Sequence, residues 1–139
     1  MSREQNLQIV QRGYEAFGRG DIAGLLAILA DDVQWTTPGP PELPVAGDRH
    51  GVAQVAQFFA TLNEVFQFEG FDPQTFMADG DRVAVFGTST VRLRLNGKLM
   101  PALPWVHSFQ LANGRVTRFQ EYFDASAIAA ELQAAHQQA

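Results

Sequence analysis

The stretch Trp105-Val106-His107-Ser108-Phe109-Gln110-Leu111-Ala112-Asn113-Gly114-Arg115-Val116-Thr117-Arg118-Phe119-Gln120-Glu121-Tyr122-Phe123 decides the fold through the question of which side chains share a face. Strand residues alternate across a sheet. The odd positions Trp105, His107, Phe109 and Leu111 form an apolar set, with Ser108 and Gln110 on the other face. Past Asn113-Gly114, the odd positions Phe119 and Phe123 flank Glu121, while Arg118 and Gln120 are even. A two-residue turn at Asn113-Gly114 would pair odd with even and set Phe109 beside Arg118. A three-residue loop, Ala112-Asn113-Gly114 with Gly114 left-handed, pairs Leu111 with Arg115 and keeps odd with odd. That register is expected because it buries both apolar sets together. It places Trp105 opposite Glu121 and His107 opposite Phe119, so that His107 and Glu121 are diagonal neighbours among aromatic rings.

Working outward, the period of two continues upstream. Phe71–Ala78, Arg82–Leu95 and Lys98–Leu111 read as strands ahead of Arg115–Phe123, with Asp79-Gly80, Asn96-Gly97 and Asn113-Gly114 as turn signals between them. On Arg82–Leu95, Val83, Val85, Val91, Leu93 and Leu95 share one face, and Ala84, Phe86, Thr88 and Thr90 share the other. Two partly apolar faces predict that helices cover one and a second copy of the chain covers the other. The expected homodimer contact is the face of Val83, Val85, Val91 and Leu93.

The first half of the chain is helical in period. Leu7, Val10, Tyr14 and Phe17 form one stripe over residues 3–19, which Gly18-Arg19-Gly20 ends. Asp21 caps a second short helix carrying Ile22, Leu25, Leu26 and Leu29. Asp31-Asp32 reads as the turn ending it, and Val33–Thr37 as a short strand. Pro38–Arg49 holds four prolines and two glycines, a loop long enough to suggest a functional rim or lid. A third helix begins near Gly51, with Val52, Val55, Phe59, Leu62 and Phe66 on its stripe and Phe58 widening it. Asp124 caps a last helix carrying Ile128 and Leu132. The order ααβαββββα predicts a single α+β domain over residues 1–139, with a mostly antiparallel sheet and its helices on one face.

Composition narrows the function classes. The 139 residues are 46% hydrophobic and 18% charged, enough apolar content for a core. No apolar run approaches the ~20 residues of a membrane span. The net charge of −5 argues against nucleic acid or an anionic membrane as partner. Met1–Asn6 lacks the apolar core of a secretory signal, so the expected location is cytoplasmic. With no cysteine and no metal-ligand spacing among three histidines, neither a metal nor another cofactor is expected. Eleven phenylalanines imply rings packed in a core or lining an apolar pocket.

His107 and Glu121 on an apolar face are costly unless paired or wet. Three readings stand side by side. Glu121 is buried and satisfied by His107, Tyr14 or a backbone amide; or the register is off and Glu121 faces water; or the two groups form a pocket floor with perturbed titration.

The order of elements resembles the nuclear transport factor 2-like fold, a cone of curved sheet closed by helices. Tyr14–Asp21, Leu29–Trp35, Leu43–Gly47 running into His50-Gly51, Gly114–Val116 and Glu121–Asp124 are similar to its SnoaL-like and ketosteroid-isomerase-like branch. The resemblance covers essentially the whole chain and implies helices packed on the concave face. It also implies a small-molecule pocket lined by Tyr14, Trp35, Phe58, Phe59, Phe86, Trp105, Phe109, Phe119 and Phe123. Thr88 and Thr90 would add hydroxyls, and His107 and Glu121 would be the catalytic pair. The known catalytic sets of the fold are incomplete here. Thr37 stands where steroid isomerases carry their aspartate base. Gly13 stands at their oxyanion tyrosine, with Tyr14 one step away, and His107 at their second oxyanion group. Of the acid–arginine–acid set of epoxide hydrolases only the last acid is matched, by Glu121; Thr88 and Thr90 replace the others. Polyketide cyclases of the branch use a pocket acid to protonate an enolate oxygen, a part for which the resemblance offers His107 or Glu121. Three functions remain open: a cofactor-free isomerase, cyclase or hydratase on an apolar carbonyl compound; a binder of a hydrophobic metabolite; and a dimerisation or interaction module.

Overall fold

A computed structural model describes residues 2–138, with Gln138 described by its backbone alone. Ser2 opens the chain as a helix cap: its hydroxyl accepts from Gln5 N–H while the Gln5 side chain takes the Ser2 N–H. The elements are α1 (Arg3–Gly18), α2 (Ile22–Leu26), β1 (Leu29–Thr37), β2 (Gly47–His50), α3 (Val52–Val65), β3 (Phe66–Asp79), β4 (Arg82–Leu93), β5 (Leu103–Ala112), β6 (Arg115–Tyr122) and α4 (Ser126–Gln138). The strands form one six-stranded curved, open sheet in the order β2-β1-β6-β5-β4-β3. Only the β1–β6 pair is parallel. Helices α1 and α3 pack on the concave face, α1 over β3 and β4, α3 over β1 and β3.

The α+β class and the placing of the helices follow the expectation; four details differ. First, the proline-rich segment contains β2, a short strand that pairs with Gln34–Thr37 of β1. The segment is less a lid than a plug, because Leu43 and Val45 are almost wholly buried. Arg49 ties it down by donating to Val45 O and Pro44 O, with its guanidinium 4.9 Å over the Phe58 ring. Second, β1 begins at Leu29, so Asp31-Asp32 is an outward-facing part of the strand and not a turn. Third, β3 begins at Phe66 and not at Phe71, and two bulges, near Glu69 and Gln74, interrupt its pairing with β4.

The fourth difference lies in the deciding hairpin. Ala112 pairs with Arg115, so the connection is the two-residue turn Asn113-Gly114, with φ of 52° and 78°. Two positive φ values are those of the turn whose twist suits a hairpin. Parity is restored by a bulge at Thr117: Leu111 pairs with Val116, but Gln110 pairs with Arg118. The Thr117 hydroxyl donates to Gln110 O at 3.1 Å. Odd therefore does face odd, by a different device, and His107 lies directly opposite Glu121.

Pairing also corrects the faces of β4. Val83 faces Phe109 and Val85 faces His107, so the odd positions of β4 look into the cone. Val83, Val85, Val91 and Leu93 are at most 7% exposed within the single chain. They are core and cannot form the expected dimer face.

Gly114 at φ 78° occupies a region that a Cβ disfavours. Gly114→Ala is expected to cost about 1 kcal/mol, read as a lower urea midpoint with unchanged m-value. A neutral substitution would show that the turn is not held in this conformation.

Candidate functional site

Three strands and one helix bring the polar groups together. Row by row across the concave face, Val83, Phe109, Phe119 and Trp35 are neighbours, then Val85, His107 and Glu121. Trp105 sits directly opposite Gly87. A Cβ on Gly87 would lie 2.5 Å from the Asp72 carbonyl and from the Trp105 ring. The absent side chain thus leaves the space in which the indole lies flat. Trp105 then donates its N–H to Ser89 Oγ at 2.6 Å and stacks on His107, centroids 3.9 Å apart. From α1, Tyr14 reaches down so that its hydroxyl lies 2.7 Å from His107 Nδ1. On the other side, His107 Nε2 lies 2.9 Å from Glu121 Oε2.

These contacts make one continuous chain, Tyr14–His107–Glu121. A neutral tyrosine donates, so Nδ1 accepts and Nε2–H donates to the carboxylate; the network assigns the tautomer. The His107 side chain is 8% exposed and that of Glu121 20%, so the charged end is the wetter one. Burial pushes the Tyr14 phenol well above its usual range, and the charge of Glu121 pushes it further in the same direction. Tyr14 is held as a neutral proton donor.

The chain borders a cavity of about 100 Å³. That is room for a small ring and well below the ~300–1,000 Å³ of a drug-sized site. Of the expected lining, Tyr14, Trp35, Phe58, Phe59, Phe109, Phe119, His107 and Glu121 are at its wall. Trp105 lies behind the wall, against His107. Phe86, Thr88 and Thr90 do not reach it: they are even positions of β4 and face the convex side, Phe86 being 40% exposed. Phe123, just past the end of β6, lies instead by Pro38–Glu42 and α4. Residues absent from the expected lining complete the wall: Val10, Gly13, Phe17, Leu25, Ile28, Leu29, Leu62, Phe68, Phe71 and Ser89. For Ser89 the signal was available, since it shares the parity of Val85. Among the described residues no three His, Cys, Asp or Glu converge as a metal site.

The chain matches the SnoaL-like domain over residues 10–119. It is similar to an NTF2-like protein from Burkholderia xenovorans LB400, 35% identical, with 94% of this chain and 97% of that one covered and a TM-score of 0.84. TerC, co-crystallised with polyporic acid, is 31% identical over 93% of this chain and 98% of its own, with a TM-score of 0.83. A candidate polyketide cyclase from Xanthomonas campestris pv. campestris is 26% identical, over 95% and 99%, with a TM-score of 0.77. No helix among the described residues is long and apolar enough to cross a membrane.

The raised Tyr14 pKa sets a pH dependence. Above about pH 10 the unfolded chain loses this proton while the folded chain keeps it, so stability falls as pH rises, approaching about 1.4 kcal/mol per unit from this group. Tyr14→Phe should show a shallower alkaline loss in urea melts between about pH 9 and 11. Equal slopes would mean that Tyr14 ionises freely in the folded protein.

Proposed function

The chain belongs to the SnoaL-like domain family, and on that premise we propose that its cavity takes a small apolar carbonyl compound and moves a proton on it without a cofactor. The observation that carries this reading is the unbroken chain from Tyr14 through His107 to Glu121 at the cavity wall. A proton from the carbon beside the carbonyl passes to the Tyr14 oxygen as the tyrosine's own proton moves to His107 Nδ1. The products are an enolate and an imidazolium, and the Glu121 carboxylate supports the imidazolium. Reversal delivers the proton to another atom of the substrate, which is isomerisation or ring closure. Tyr14 is neutral at both ends of the relay, in keeping with burial that opposes the phenolate. The crystal complex of TerC with polyporic acid supports a site for small molecules on this scaffold. A binder without turnover is the second reading, favoured by Thr37, which cannot serve as a base.

Exchange of the α-protons of cyclohexanone in D₂O, followed by NMR, separates the two. The enzyme reading expects acceleration over buffer, lost by ~10²–10⁴-fold in Glu121→Gln and in Tyr14→Phe. Binding of the ketone with exchange at the buffer rate selects the binder.

We assign self-association to the convex face, where Phe86, Val106 and Tyr122 are cross-strand neighbours. Met77 and Tyr122 are 59% and 55% exposed. Light scattering should give a dimer for the wild type and a monomer for Phe86→Asp; a monomeric wild type at micromolar concentration would remove this assignment.

A further inference from the structure

Resting on that reading of the cavity, we infer that the ligand places a hydrogen-bond acceptor, a carbonyl, ether or hydroxyl oxygen, on the indole N–H of Trp35. Other polar groups at the cavity already have partners. Tyr14 donates to His107, His107 to Glu121, and Ser89 Oγ accepts from Trp105. Trp35 is different. It lines the cavity, is 5% exposed, and its Nε1 has no partner among the described residues.

Most buried polar groups are hydrogen-bonded, so a partnerless one requires an explanation. The ring cannot swing to find a partner, because Phe119 stacks on it at 3.8 Å and Phe58 and Phe59 hold it at 5.8 and 5.6 Å. Indole nitrogen only donates, so what is missing is an acceptor. A water would need two to four polar contacts to stay, and the surrounding rings offer few. Two residues along the same strand, Thr37 is 2% exposed and its hydroxyl is equally without a partner. The inward face of β1 therefore carries unused hydrogen-bonding capacity beside the row of His107 and Glu121.

This defines the ligand as a ring-sized apolar compound that has at least one oxygen acceptor on the β1 side. In the proton-transfer reading, that oxygen is the one on which enolate charge collects. Trp35 would be its donor, leaving the Tyr14 chain to handle the proton.

The test compares cyclohexanone with methylenecyclohexane, equal in shape but lacking the acceptor, against wild type and Trp35→Phe. Affinities come from ligand-observed NMR. The protein has two tryptophans, so the indole N–H region holds two signals, assigned by the loss of one in Trp35→Phe. The expected result is a roughly threefold to tenfold preference for the ketone in wild type, the worth of one neutral hydrogen bond. The preference should vanish in Trp35→Phe, and the Trp35 indole proton should move downfield with the ketone alone. Binding of both probes without preference, or a preference that survives Trp35→Phe, overturns the assignment of Trp35 and leaves the pocket standing. Binding of neither probe at millimolar concentration overturns the pocket reading and this inference with it. Methylenecyclohexane binding to Trp35→Phe checks that the variant keeps its cavity. If it does not, the wild-type indole shift decides alone.

Discussion

His107 and Glu121 face each other across β5 and β6, and neither can be buried among rings without the other. Removing one partner of such a pair leaves a buried polar group without its hydrogen bond, at a cost of about 1–3 kcal/mol. The partial wetness of Glu121 reduces that figure. Much of the surrounding structure serves this contact. The bulge at Thr117 brings Glu121 opposite His107 and keeps Arg118 out of the row of Phe109. Gly87 leaves the slot in which Trp105 lies flat against the imidazole. Helix α1 sets Tyr14 over the remaining ring nitrogen, so both nitrogens of His107 are engaged in fixed directions.

The hairpin shows what a sequence reveals about such a site and where it stops. The demand that Phe109 and Phe119 share a face is a burial argument, and burial won. It did not say how parity would be met, since a longer loop and a tight turn with a bulge satisfy it equally. The bulge has its own local interaction, Thr117 to Gln110 O, which hydrophobic alternation does not encode. On β4 the alternation was read correctly, but nothing in it says which face turns inward. Phe86 looked like a pocket residue, and Gly87 and Ser89 were in neither set of facing residues. The reverse holds because Trp105 needs the space at Gly87 and the hydroxyl at Ser89. Leu43 and Val45 were hidden by the prolines around them, which signal a loop without saying that the loop enters the core. Tyr14 was visible on a helical stripe and was weighed as a partner for Glu121, whereas its hydrogen bond goes to His107, 93 positions away.

Charge and hydrogen bonding are divided between two walls of the cavity. The β5–β6 wall carries the titratable groups, and the β1 wall carries the Trp35 indole N–H, which has no partner among the described residues. Aromatic rings between them lower the local dielectric, which strengthens the Tyr14–His107–Glu121 contacts. Such a pocket suits a scaffold whose relatives range from NTF2-like proteins to a candidate polyketide cyclase.

The two outermost strands of the open sheet carry a consequence for colloidal behaviour. A free strand edge presents unpaired amides that can recruit a strand from another molecule and nucleate aggregation. At one edge β2 is four residues long, with Asp48 and Arg49 in its middle. At the other, β3 is long but bends at its two bulges and carries Pro73, which has no amide hydrogen to offer. Glu69 and Asp72 add charge beside those irregularities. Neither border offers the straight, uncharged ladder from which fibrils propagate, so edge-to-edge growth is blocked at both ends of the sheet.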